Sequence, residues 1–287
     1  MFFKSLRVKI YFWRRDFFRK KLLKRIIEFS KKGSVNDLEL ESIQFIEKNG
    51  LCIFPHSFSE KYRDFKTEVF FENSFPYVFH KGRKLFFKKR WGAEQVNHYY
   101  KSIVMEQDDE SAHLYCDADF TVEAGDILID LGVAEGNFSI ENIEKASRVY
   151  LFEKNQDWLE PLEETFKGFE EKVTIVNKFA GSEDSGNSVS LDSFSELFDK
   201  SIFIKIDVDG GEREVLKGMQ KLLKEAQKIK IAICTYHSQN DAIEFEEYFK
   251  KLGFETSFSS GYMLFYHDKK IKAPFLRKGV LRVSKYQ

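Results

Sequence analysis

From residue 126 onward the chain alternates between short runs rich in Ile, Val and Leu and helix-length amphipathic segments. Runs that are almost continuously apolar mark strands buried on both faces, as in a parallel sheet covered by helices. The pattern predicts strands over 126–132, 149–154, 173–180, 202–208 and 230–237, with helices over 137–146, 157–168, 212–226 and 240–251. Two further strand-like runs, FETSFSS (254–260) and YMLFYHD (262–268), flank Gly261 and predict an antiparallel hairpin closing the sheet. The expected class is therefore α/β, a mostly parallel sheet with an antiparallel C-terminal hairpin.

Residues 1–120 lack that rhythm. In YVFHKGRKLFFKK (77–89) the dipeptide Lys81-Gly82 marks a hairpin turn, and a helix is expected over about 93–104. The first 32 residues carry twelve Lys or Arg against Asp16 and Glu28, interleaved with Phe2, Phe3, Tyr11, Phe12, Trp13, Phe17 and Phe18. This reads as a basic, aromatic helix that either packs on the domain or a partner, or lies on an anionic membrane surface. The chain divides into an N-terminal helical and hairpin extension (1–120), a catalytic domain (121–270) and a basic tail (271–287).

Composition narrows the classes. The 46 basic and 46 acidic residues cancel, so no global field draws the protein to nucleic acid. Cys52, Cys116 and Cys234 are widely spaced and odd in number, which fits a reducing cytoplasm better than a disulfide framework. No apolar run approaches the ~20 residues needed to cross a bilayer, and no signal-peptide core is evident. Neither secretion nor membrane spanning is expected, although peripheral contact through residues 1–32 stays open.

In an open α/β sheet, ligands bind beyond the carboxyl ends of the strands, where strand order reverses. The first strand runs into Asp130-Leu-Gly132-Val-Ala134-Glu135-Gly136-Asn137-Phe138. Gly132 permits a sharp turn and Gly136 a close helix approach. A diphosphate site would want glycine where Ala134 stands, and Glu135 opposes an anion, so the loop suits a cationic ligand without a diphosphate. Glu153 ends the second strand 23 residues after Asp130, near the offset at which a carboxylate takes ribose hydroxyls.

The fourth strand ends in IKIDVDGGE, with Asp207 and Asp209 on one side of an extended chain. They could hold an ammonium group, take a proton from an acceptor hydroxyl or ligate a divalent cation. Alternatively, Asp209 caps the next helix and Glu212 is a first-turn acid. His237 ends the fifth strand, one strand away, and could serve as base or substrate contact. A polar group, Glu106, Gln107, Asp108, Ser111, His113 and Tyr115, occupies EQDDESAHLY (106–115), where an ordinary surface loop would look the same.

DLGVAEGNFS (130–139) and IKIDVDGGEREVLKG (204–218), together with EQDDESAHLY and TYHSQND (235–241), resemble the FkbM-like methyltransferases over roughly residues 99–260. The resemblance implies a Rossmann-like class I methyltransferase fold, S-adenosylmethionine as donor, and O-methylation of a small molecule, sugar or lipid-linked glycan, in the cytoplasm or at its membrane face. It also implies cofactor binding by Asp130, Gly132, Ala134, Glu135, Gly136, Asn137, Phe138, Glu153, Lys154 and Asp207. Catalysis falls to Asp207, Asp209, His237 and His113. The family often has Glu at position 209 and Ala at 211. No His/carboxylate spacing demands a metal and none is expected, though a divalent cation such as Mg²⁺ is compatible with the acidic strand end.

Three other readings compete. Ala134 and Glu135 count against a nicotinamide oxidoreductase. A non-catalytic, membrane-docking scaffold would be expected to have lost Asp130, Glu153 or Asp207, and all three are present. A methyltransferase acting on protein or RNA lacks a basic track outside residues 1–32.

Overall fold

The computed structural model describes residues 2–33 and 35–286, with side chains described for 15–33 and 35–285. The chain opens with α1 (Phe2–Ser30) and α2 (Asp37–Asn49), followed by a small antiparallel sheet of β1 (Phe70–Glu72), β2 (Phe75–His80) and β3 (Arg83–Phe86). The β2–β3 turn is Lys81-Gly82 as expected, both with positive φ (47° and 83°), the geometry that matches the twist of a two-residue hairpin. α3 (Ala93–Glu106) leads into the main domain.

That domain holds β4 (Ile127–Leu131), α4 (Asn137–Asn142), β5 (Arg148–Phe152), α5 (Leu159–Thr165), β6 (Val173–Val176), the short pair β7 (Phe179–Ala180) and β8 (Ser188–Val189), and β9 (Ser201–Ile206). Then follow α6 (Glu212–Lys217), α7 (Leu222–Glu225), β10 (Lys228–Cys234), α8 (Asp241–Lys251), β11 (Glu255–Phe258) and β12 (Val280–Tyr286). The seven-stranded sheet has the order β11-β12-β10-β9-β4-β5-β6. Strands β6, β5, β4, β9 and β10 are parallel, and β12 runs antiparallel to both neighbours. This is a Rossmann-like class I methyltransferase fold with helical layers and an N-terminal extension. Two apolar cores flank the sheet, one built on Leu128, Phe203 and Ala232 and the other on Ile129, Ile204 and Ile231, alternate residues of the same strands.

Two expectations need correction. The partner of β11 is β12, not residues 262–268, and the segment assigned to a basic tail supplies a strand inside the sheet. Its alternation puts Leu281 and Val283 in the core, while Arg282 is buried by bonds to the carbonyls of Leu114 and Tyr115 and an ion pair with Asp117. The helix expected over 212–226 is broken into α6 and α7 at Gly218, where an added Cβ would lie 1.9 Å from the carbonyl oxygen of Gly181.

The C-terminal half of α1 docks on the domain: Leu22 and Ile26 pack with Ile43, Ile46, Leu264 and Phe275, and Arg19 donates to the carbonyl of Leu51. The side chains of Phe2, Phe3, Tyr11, Phe12 and Trp13 lie outside the described residues. Among the described residues, no helix is long and apolar enough to cross a membrane.

Candidate active site

Strand order reverses between β4 and β9, so their carboxyl ends diverge and leave a crevice. A cleft of about 1070 Å³ opens there, lined from the ends of β4, β5, β9 and β10 and walled by Tyr99 and Trp158. Small-molecule sites typically run from roughly 300 to 1,000 Å³, so there is room for a nucleoside cofactor and an acceptor together.

Beneath the first loop lies a buried lysine. Lys205, on β9, pairs with Asp130 at 3.0 Å and donates to the carbonyl of Gly132 at 2.6 Å, while Ser139 donates to the other Asp130 oxygen at 2.6 Å. Burial disfavours the ammonium, but Asp130 and Asp207 more than offset it and hold the Lys205 pKa above its ordinary value. Asp130 therefore clamps the loop from below and does not line the cleft. Gly132 (φ 78°) is required twice over, because a Cβ there would stand 1.9 Å from the carbonyl oxygen of Asp207.

Glu153 shapes the loop from the other side. One carboxylate oxygen accepts the Ala134 N–H at 2.9 Å and the other the Asn155 N–H at 2.6 Å, which leaves lone pairs on both for further donors in the cleft. Gly132, Ala134, Glu153, Lys154 and Asp207 line the cleft; Glu135, Gly136, Asn137 and Phe138 do not. Gly136 instead packs against Leu162 and Phe166, and Phe138 against Tyr115 and Phe203. Glu135 is buried and accepts from Tyr99 Oη at 2.7 Å; burial pushes its carboxyl up to about 7, against the pull of that bond.

Asp207 is the best-held acid of the site. Its Oδ2 accepts from Tyr115 Oη at 2.9 Å and its Oδ1 from Tyr236 Oη at 3.3 Å, with His113 Nε2 3.4 Å from Oδ2. Burial works against its ionisation, but His113, Lys205 and His237 outweigh it and hold the carboxyl far below the usual range. His113 is itself buried behind Asp207 and against Tyr236, so it acts on the cleft only through them.

Asp209 has a positive φ (52°) and a fully exposed side chain. It does not cap α6, contrary to the capping alternative. The loop is closed by Glu212, whose fully buried carboxylate accepts the N–H groups of Val208 and Gly210 at 3.2 and 3.3 Å. His237 Nδ1 lies 2.9 Å from the same Glu212 oxygen but out of line for a hydrogen bond, and its Nε2 faces Asp207 and Asp209 at 3.7 and 3.8 Å.

Sequence reading missed Tyr99, Trp158, Lys205 and Tyr236. A lysine inside the otherwise apolar run IFIKIDV was the one visible signal. The aromatic residues carry none, because a Tyr in an amphipathic helix or at a strand end reads the same whether it lines a cleft or fills a core.

Residues 117–256, the loop-bearing heart of this sheet, match the family model described as the methyltransferase FkbM domain. This stretch carries an FkbM-like methyltransferase domain. Among solved structures it resembles the FkbM methyltransferase of Methylobacillus flagellatus KT, with 20% identity over 67% of this chain and a TM-score of 0.43. The match spans 60% of the Methylobacillus chain. It also resembles the precorrin-6y C5,15-methyltransferase of Geobacter metallireducens GS-15, with 16% identity over 57% of this chain and 81% of that one, TM-score 0.38. An rRNA methylase from Streptococcus thermophilus shares 15% identity over 58% of this chain and 90% of that one, TM-score 0.37. No curated protein matches the chain.

Proposed function

We propose that this FkbM-like protein transfers the methyl group of S-adenosylmethionine to a hydroxyl oxygen of a small molecule, a sugar or a lipid-linked glycan. The observation that carries the reading is the pairing of the Gly132–Ala134 turn with the Glu153 carboxylate across one cleft. A backbone turn and a carboxylate with free lone pairs suit a nucleoside whose other end is cationic.

In this arrangement Glu153 would accept the ribose hydroxyls, and the wall from Lys178 to Ser182 would take the adenine. The turn at Gly132 would take the methionine end, with the ionised Asp207 carboxylate supplying negative charge beside it. Burial pushes the Glu106 carboxyl up, with the nearby Asp207 adding to the effect and His113 opposing it, so a cationic ligand would favour its ionisation. The acceptor then approaches from the β9 and β10 side, where Asp209 and Tyr236 line the cleft and His237 stands behind them.

Methyl transfer is a direct displacement. An oxygen lone pair of the acceptor forms the new bond to the methyl carbon as the carbon–sulfur bond breaks and the sulfonium becomes a neutral thioether. Alignment of oxygen, carbon and sulfur is therefore the main demand, and rigid placement on strand ends meets it. The hydroxyl proton must also leave, and Asp209, or His237 behind it, would accept it. Asp207 and His113 position Tyr236 and Tyr115 around them. The basic first helix would hold the site at the cytoplasmic face of a membrane, where lipid-linked acceptors reside.

The direct check is calorimetric titration with S-adenosylhomocysteine. Wild type should bind saturably, and Glu153→Ala should bind tenfold to a hundredfold more weakly, since charged hydrogen bonds contribute roughly 1.5–3 kcal/mol each. A folded wild type that binds neither S-adenosylhomocysteine nor S-adenosylmethionine would remove the reading.

A further inference from the structure

Charge is segregated along this chain. Residues 1–32 carry a net charge of +10 and, because the whole chain is neutral, residues 33–287 carry −10. Within the described part of α1 the helix itself sorts the side chains. Leu22 and Ile26 face the domain, while Phe17, Lys20, Lys21 and Lys24, spaced i, i+3, i+4 and i+7, occupy the exposed opposite face. Glu28, the one acid on that face among the described residues, lies 3.7 Å from Lys24. Like charges one turn apart, as at Lys20 and Lys24 or Lys21 and Arg25, destabilise an isolated helix. Solubility does not require that arrangement, and an anionic surface relieves it.

The inner face of α1 leads to the cleft. Leu264 and Phe275 pack with Leu22 and Ile26, and the Arg19 guanidinium lies over the Tyr266 ring at 5.1 Å. Phe265, between Leu264 and Tyr266, meets the rings of Tyr236 and His237 edge-on at 5.1 and 5.6 Å. Buried Arg277 fixes this segment to the end of β10: it donates to the carbonyls of Tyr236 at 2.7 Å and His237 at 3.1 Å and pairs with Asp268. Residues 262–277 thus form a strap with α1 on one side and the acceptor wall of the cleft on the other. The strap also displays Lys269, Lys270 and Lys272, all exposed, around Ile271, which is buried in the α1 cluster.

We propose that the outward face of α1 and the lysines of the strap adsorb together on an anionic lipid bilayer, and that the acceptor is carried on a lipid of that bilayer and reaches the cleft past the strap. Each basic residue at such a surface strengthens adsorption roughly fivefold, and the attraction fades beyond a Debye length of about 8 Å at physiological salt. The acidic remainder of the chain is repelled, so the molecule settles with α1 and the strap against the lipid. Phe17, 59% exposed within the lysine row, gains by inserting among headgroups, which a nucleic acid backbone does not offer. Because Phe265 touches the acceptor wall and its neighbours touch α1, this orientation sets the acceptor side of the cleft beside the bilayer. The assignment of the acceptor rests on the methyl-transfer reading; the lipid surface does not.

The test is co-sedimentation of the full chain with vesicles of phosphatidylcholine, alone or with about one-third phosphatidylserine, combined with hydrogen exchange on the vesicles. Adsorption should require the anionic lipid and be lost at about 1 M salt. The triple variant Lys20→Glu, Lys21→Glu, Lys24→Glu changes only exposed side chains; it should melt as the wild type does, yet adsorb roughly a hundredfold more weakly or less. Exchange should slow over residues 15–32 and 267–273 and stay unchanged over α5 and β6. Label from S-adenosylmethionine should enter the organic-solvent extract of source membranes; label confined to water-soluble compounds would overturn the lipid-borne acceptor. The surface would be overturned by failure to adsorb, by adsorption unchanged in the triple variant, by exchange over 267–273 equal to that in solution, or by tighter binding to polyuridylate than to vesicles. Adsorption by a wild type that does not bind S-adenosylhomocysteine would leave the surface standing and remove the acceptor assignment. S-adenosylhomocysteine binding without adsorption would do the reverse, sparing the methyl-transfer reading.

Discussion

Glu135 shows how much of the site depends on a single buried group. In the folded chain burial raises its carboxyl from 4.5 to about 7, while the unfolded chain keeps the ordinary value. Between those two values the folded state holds a proton that the unfolded state has lost, so stability falls as pH rises through this window. The difference amounts to roughly 3 kcal/mol once the pH exceeds 7. Glu135→Gln keeps an acceptor for Tyr99 and removes the charge. Urea unfolding should therefore find variant and wild type alike near pH 4.5 and the variant more stable above pH 7; a constant difference across the range would contradict the assignment. Of the individual residues, Glu153 and Asp207 were legible in the sequence because acids at the ends of apolar strands have few other reasons to be there. Asp130 was legible as a member of the loop but not in its place, which depends on Lys205 arriving from a strand 75 residues away in sequence.

At the scale of elements, the parallel strands were legible because burial on both faces writes a continuous apolar run, and each lies within a few residues of its predicted span. The break between α6 and α7 was not, since its cause is the close approach of Gly181 to Gly218. The last strand was hidden by its charges. Arg282 donates to the carbonyls of Tyr115 at 3.1 Å and Leu114 at 3.0 Å and pairs with Asp117, so a residue that looks solvated in sequence fastens one element to another. The fastened segment carries His113 and Tyr115, the partners of Asp207. Replacing Arg282 by Met should cost about 2–4 kcal/mol, because two buried carbonyls lose a charged donor. Hydrogen exchange should accelerate over residues 111–117 in that variant while β4 and β5 stay protected; uniform loss of protection would show instead that the strand as a whole has come away.

Over the whole molecule, the crevice exists because the sheet turns back on itself between β4 and β9, and everything else braces that reversal. The two outlying parts behave differently. The small β1–β3 sheet joins the domain's main apolar core through Val78 and Leu85, with ion pairs such as Arg83 with Glu144 at its margin, whereas α1 meets the domain through a separate apolar cluster. Insertion of β12 between β10 and β11 ties the far edge shut. A chain cut after Gly279 should lose its cooperative unfolding transition and associate, as light scattering would show; a monomeric, cooperatively melting product would mean that β11 can pair with β10 directly. During synthesis, β10 leaves the ribosome some fifty residues before the strand that covers it. Until then KIKIAIC presents an unpaired edge rich in isoleucine, the kind that recruits neighbouring chains. Its alternating Lys228 and Lys230 would then act as gatekeepers, their charges keeping nascent chains apart before both settle onto Glu123 in the finished fold.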